Sequence, residues 1–99
     1  MATIPSQKEA ETIALTALAD IVGDEVLRER LLSLTGLAPD DLRARAGERD
    51  VLIGVLDFLL GFEPDLTAFC DRHDLAYESI ALARHRLSAP AGGATSDEF

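Results

Sequence analysis

The sequence predicts an all-α fold, a compact bundle of five to six short helices, on three observations. Leu and Ala are the commonest residues, Glu and Arg are frequent, and only 5% of residues are aromatic, which favours helices over strands. Apolar residues recur at three- and four-residue spacing between Gly and Pro punctuation. One segment, residues 50–60, is apolar nearly all round, as suits a helix placed at the centre of a domain.

Each element has a local cause. Residues 1–5 are expected to fray, and a single helical domain is expected over 6–88. Ser6 followed by Glu9 matches a capping box. The helix after it runs to about Val22 with Ala14, Leu18, Ile21 and Val22 as its apolar stripe, and Gly23 ends it. Asp24 caps a second helix that stops at Gly36, with Val26, Leu27, Leu31 and Leu34 expected to face inward. A short third helix starts at Pro39, with Asp40 and Asp41 at its positive end, and Gly47 closes it. The central fourth helix spans about Asp50 to Leu60 and stops at Gly61. A fifth begins at Pro64, and a sixth covers residues 75–87 with Arg84, His85 and Arg86 in its last turn. Residues 89–99, rich in Pro, Gly, Ser and Ala, are predicted to be a disordered tail.

Sliding the chain by 38 positions superposes Leu18 on Leu56, Gly23 on Gly61, Leu37 on Leu75 and Ala38 on Ala76. The offset allows two pseudo-symmetric three-helix halves around helix 50–60. It also predicts that Leu37 and Leu75 each plug a corner between two helices. Chance alignment of two Leu/Ala-rich helical stretches is the alternative.

Charge and cysteine content narrow the function classes. The net charge of −9 over 99 residues opposes general binding to phosphate backbones and anionic membranes. The single cysteine, Cys70, excludes an intramolecular disulfide. The first residues lack a basic, apolar leader pattern, and the run at 51–62 is interrupted by Asp57 and too short for a bilayer. A cytoplasmic location without membrane contact is expected.

Candidate sites are weighed against bland readings. Leu32, Gly36 and Leu42 have helix-turn-helix spacing, with Arg43 and Arg45 able to point outward, but Asp40 and Asp41 open the would-be reading helix. Cys70 and His73 share a helix face, yet no second ligand pair completes a metal site and no orienting group completes a nucleophile. Acidic pairs such as Asp50 with Asp57 arise freely among 18 carboxylates. Arg43, Arg45 and Arg49 neutralise neighbouring carboxylates more readily than they make a site. At the C-terminal end, Asp97, Glu98 and Phe99 resemble the tip of bacterial single-stranded DNA-binding proteins, without the Pro usual before Phe. No catalytic, cofactor or metal residue is therefore assigned.

The stretches "ETIALTALADIVGDEVLRERLLSLTGLAPDDLRARA" and "VLIGVLDFLLG" resemble a family of short bacterial proteins, domain of unknown function 3572, typical of alphaproteobacteria. That resemblance covers roughly residues 10–88 and implies a compact helical domain with no assigned activity. The sequence reading is a non-catalytic acidic adaptor or regulator that binds an as yet unidentified protein, with self-association open. Its expected docking surface is the stripe Asp50, Gly54, Asp57 and Gly61 with Phe62 beside it. The stripe is either a narrow solvent face or a seam where another helix approaches closely. The alternative is nucleic-acid binding through the 25–46 corner.

Overall fold

The computed structural model describes residues 4–89, and all regular structure among them is helical: α1 Gln7–Val22, α2 Glu25–Thr35, α3 Pro39–Ala44, α4 Arg49–Leu60, α5 Glu63–His73 and α6 Tyr77–Ser88. The tail predicted for 89–99 lies, apart from Ala89, outside the described residues. The first three residues do as well.

Helix starts follow local chemistry. Ser6 Oγ accepts from the Glu9 amide at 3.1 Å while Glu9 Oε1 accepts from the Ser6 amide at 2.8 Å, completing the capping box. Asp24 Oδ1 accepts from the Leu27 amide at 3.0 Å. α3 and α5 instead begin with Pro in the first turn, where a missing N–H leaves no donor unmet. Pro5 is buried and its carbonyl accepts from Arg86 Nε at 3.2 Å, so the chain entering α1 is tied to α6.

Helix ends follow two mechanisms. Gly36 adopts the left-handed conformation at φ 73°, and its N–H reaches the Leu32 carbonyl. Gly23 ends α1 in the right-handed region at φ −74°, so its left-handed freedom is unused. Asp74 takes the left-handed role after α5 at φ 55°, which Asp tolerates better than most side chains.

The core is a three-helix sandwich. α6 packs against both α1 and α4, and α1 packs against α4. α1 presents Ala10, Ala14 and Ala17, all fully buried, at helical spacing. This small-residue ridge lets its neighbours approach closely. α6 contributes Ile80, Ala83 and Leu87, also fully buried. α4 supplies Val51, Leu52, Val55, Leu56, Phe58 and Leu59, so it occupies the middle as its composition predicts. α2 lies over α1 and α4, and α5 lies over α4 and α6. α3 is pinned by Leu42 alone.

The boundaries of paired elements are separated by 38 residues. α1 and α4 end at 22 and 60, α2 and α5 span 25–35 and 63–73, and α3 and α6 start at 39 and 77. Leu37 and Leu75 are both partly buried against the core. The third members differ: α3 has six residues and α6 twelve.

One inward assignment is corrected. Of the four α2 residues expected to face the core, Leu31 is buried and Leu27 partly so, but Val26 is 65% and Leu34 74% exposed. Both lie near the ends of α2, where the neighbouring helices do not cover them. Between them Arg30 takes the contact with α5, donating to Asp65 Oδ2 at 3.0 Å and lying 5.2 and 5.0 Å from the Phe58 and Phe62 rings.

Candidate functional site

The residues Asp50, Gly54, Asp57 and Gly61 form the outward side of α4. A Cβ added at Gly54 would meet nothing within 4 Å. No other element of the described fold packs closely on Gly54. Asp57 accepts from Arg84 Nε at 2.8 Å and Nη2 at 3.3 Å, bridging α4 to α6. That carboxylate holds the Arg84 guanidinium more firmly protonated, first by hydrogen bonding and then by charge. Gly61 ends α4 with its N–H on the Asp57 carbonyl. Phe62 precedes α5 and faces Arg30 on the α2 side. The five residues thus belong to different surroundings. Asp50 and Gly54 border a groove of about 250 Å³ with Leu31, Leu37, Val51 and Val55, while Asp57 faces α6 and Phe62 faces α2.

A more apolar depression lies between α1, α2 and α3. Leu15, Leu18, Ala19 and Val22 form one wall, Leu32 the opposite one, and Pro39, Leu42 and Ala46 the end; its volume is about 280 Å³. Leu15 is 44% and Val22 39% exposed, unlike the buried α1 residues facing the core. The only charged lining residues are Arg28 and Arg43. Arg28 Nη1 donates to the Val22 carbonyl at 3.0 Å, which holds the guanidinium over the end of α1. No carboxylate among the described residues lies within ion-pairing distance of it. Arg43 is strongly exposed, with Asp40 at 3.3 Å.

This groove was not singled out from the sequence. Its signal is the width of the α1 apolar arc: Leu15, Leu18, Ala19 and Val22 form a second row beside the buried alanines. A wider and more open depression of about 510 Å³ lies beside the start of α1, lined by Pro5, Ser6, Lys8, Glu9, Thr12 and Ser79 among others. Among the described residues, Ile13 is the one aliphatic side chain in its lining, beside the charged Lys8 and Glu9.

Cys70 is buried, and burial, with the Asp71 carboxylate adding, pushes its thiol pKa up. A raised pKa keeps it a thiol, the less nucleophilic form. His73 Nε2 lies 2.7 Å from Asp20 Oδ2, which also accepts from Arg72 at 3.0 Å, and the ring packs on Phe69 at 4.7 Å. The imidazole thereby joins α5 to α1. Among the described residues no group of three or more His, Cys, Asp or Glu is placed to hold a metal. In the 25–46 corner α3 has only six residues, its first turn carries Asp40 and Asp41, and Leu42 points into the core. Arg45 is engaged by Glu48 at 2.8 Å. Asp97, Glu98 and Phe99 lie outside the described residues.

No described helix is long and apolar enough to cross a membrane. Neither the curated proteins nor the solved structures give a match to this chain. The family described as "Protein of unknown function (DUF3572)" matches residues 7–90, from the first residue of α1 to just beyond α6, and the chain belongs to it.

Proposed function

We propose that this protein is a non-catalytic, cytoplasmic interaction module that docks an acidic, apolar-containing segment of a partner protein in the α1/α2/α3 groove. The observation that carries the reading is an exposed aliphatic trough whose only charged lining is Arg28 and Arg43, on a chain of net charge −9. Aliphatic walls supply affinity by burying apolar surface at about 25 cal/mol per Å². The arginines select for carboxylates, with Arg28 already oriented by the Val22 carbonyl. The stripe on α4 supports docking less well, because Asp57 is engaged with Arg84 and the five residues face different surroundings.

Comparative affinity capture from a bacterial lysate tests the assignment. Leu15→Glu alters the groove at a half-exposed position, and Gly54→Arg with Asp57→Lys alters the stripe. Loss of the same captured protein with the groove variant but not the stripe variant is expected. Unchanged capture with Leu15→Glu, in a protein of wild-type helicity, excludes the groove.

A further inference from the structure

We infer that, in the absence of a partner, the groove is occupied by the protein's own C-terminal segment Asp97-Glu98-Phe99, docked in cis. This rests on the groove reading above and goes beyond it by naming a competitor built into the chain.

Chemical complementarity comes first. The groove offers aliphatic walls from Leu15, Leu18, Val22 and Leu42 with Arg28 and Arg43 at the rim. The segment offers one aromatic side chain directly after two carboxylates. A volume of about 280 Å³ is at the small end for a ligand pocket and suits one or two side chains. An arginine already oriented by a carbonyl and without a carboxylate partner among the described residues is a ready donor to the carboxylate of Asp97 or Glu98.

Reach comes second. The Ala89 carbonyl accepts from Arg49 Nη1 at 3.5 Å, and Ala46, which lines the groove, is three residues before Arg49. An arginine side chain plus three extended residues bounds the distance from Ala89 to Ala46 at roughly 22 Å. Ten residues, Pro90 to Phe99, span up to about 33 Å when extended. That reach exceeds the bound on the distance to Ala46. A tether this short places the effective concentration of the segment near the millimolar range. Even a weak contact is then populated in cis, while a partner with more contacts displaces it.

Methyl-resolved NMR of the full chain provides the test. In Phe99→Ala, the Leu15, Val22 and Leu42 methyl resonances should shift while those of Leu52 and Ile80 stay in place. Arg28→Gln, or wild-type protein in about 0.5 M salt, where screening is short-ranged, should move them in the same direction. An added end-blocked peptide Thr95–Phe99 should bind Phe99→Ala at least about threefold more tightly than wild type, because the internal competitor is gone. Groove methyls that are identical in wild type and Phe99→Ala overturn the inference. So does a shift that grows over a tenfold rise in protein concentration, which assigns the occupant to a second copy. The failures are separable: silent methyls together with partner capture lost in Leu15→Glu defeat the tail alone, while capture retained in Leu15→Glu defeats the groove reading.

Discussion

Leu31 and Leu34 sit one turn apart on α2, and truncating each to alanine separates the packing of this fold from its sequence pattern. Leu31 is 1% exposed and belongs to the core cluster; Leu34 is 74% exposed. Removing a fully buried leucine forfeits its transfer free energy and leaves a cavity, together about 3–5 kcal/mol. Residues 4–89 number 86 (89 − 4 + 1), so a domain of this size has a total stability of about 4–13 kcal/mol. Leu31→Ala therefore removes about a quarter or more of the stability. At about 4–8 °C per kcal/mol, its Tm falls by 10 °C or more. Leu34→Ala removes side chain that is mostly wet already and installs a better helix former, for a net change within about 0.5 kcal/mol. Urea denaturation followed by far-UV circular dichroism measures both, with an unchanged m-value as the condition for comparing midpoints. A loss above about 1.5 kcal/mol for Leu34→Ala, or below about 1 kcal/mol for Leu31→Ala, refutes the placement of α2 and with it one wall of the groove.

Glycine substitutions should have opposite signs at two positions. Gly54→Ala, in a helix interior facing open space, should stabilise by about 0.5–1 kcal/mol, whereas Gly36→Ala, at φ 73°, should destabilise by about 1 kcal/mol, both read as denaturation midpoints. The raised Cys70 pKa makes stability pH-dependent: above the ordinary thiol pKa of about 8.5 the unfolded chain loses its proton first. The contribution is therefore complete below that pH and is lost as pH rises toward the folded-state pKa; Cys70→Ala should flatten this alkaline decline in a pH series of urea melts. Random duplex DNA should show no retention by the protein at about 20 mM salt in an anisotropy titration, since Asp40 and Asp41 occupy the start of α3.

Features with a local cause could be read from the chain. The Ser6/Glu9 box, the Asp24 cap and the Gly36 stop each depend on atoms within four residues. The centrality of α4 is also legible, because a helix apolar on nearly every side has few other places to go. The outward position of Val26 and Leu34 was not legible, since periodicity fixes a helix face but not how far along that face the neighbours extend. Arg30 shows the same limit. Its sequence neighbours suggest a solvated side chain, yet the Phe58 and Phe62 rings and Asp65 arrive from segments 28 to 35 residues away. The α4 stripe was visible as a spacing, but whether a helix or water faced it depended on tertiary packing.

We propose that the groove has its cause in the unequal third helices of two pseudo-symmetric halves. Its lining residues Leu15, Val22, Leu32 and Ala46 stand 38 positions before Ile53, Leu60, Cys70 and Arg84. In the second half Cys70 is fully buried and Ile53 and Leu60 are partly buried, and α6 runs for twelve residues and packs on α4. In the first half the corresponding helix stops at Ala44, and the chain turns through Arg45, Ala46 and Gly47 toward α4. Leu42 still enters the core, as Ile80 does, but the next two turns that would cover Leu15 and Val22 are missing. An apolar wall suited to a third helix is thus left without one. In the proposed docking, a segment that brings apolar side chains to this wall, whether a partner's or the chain's own, would bury Leu15 and Val22, which are otherwise 44% and 39% exposed.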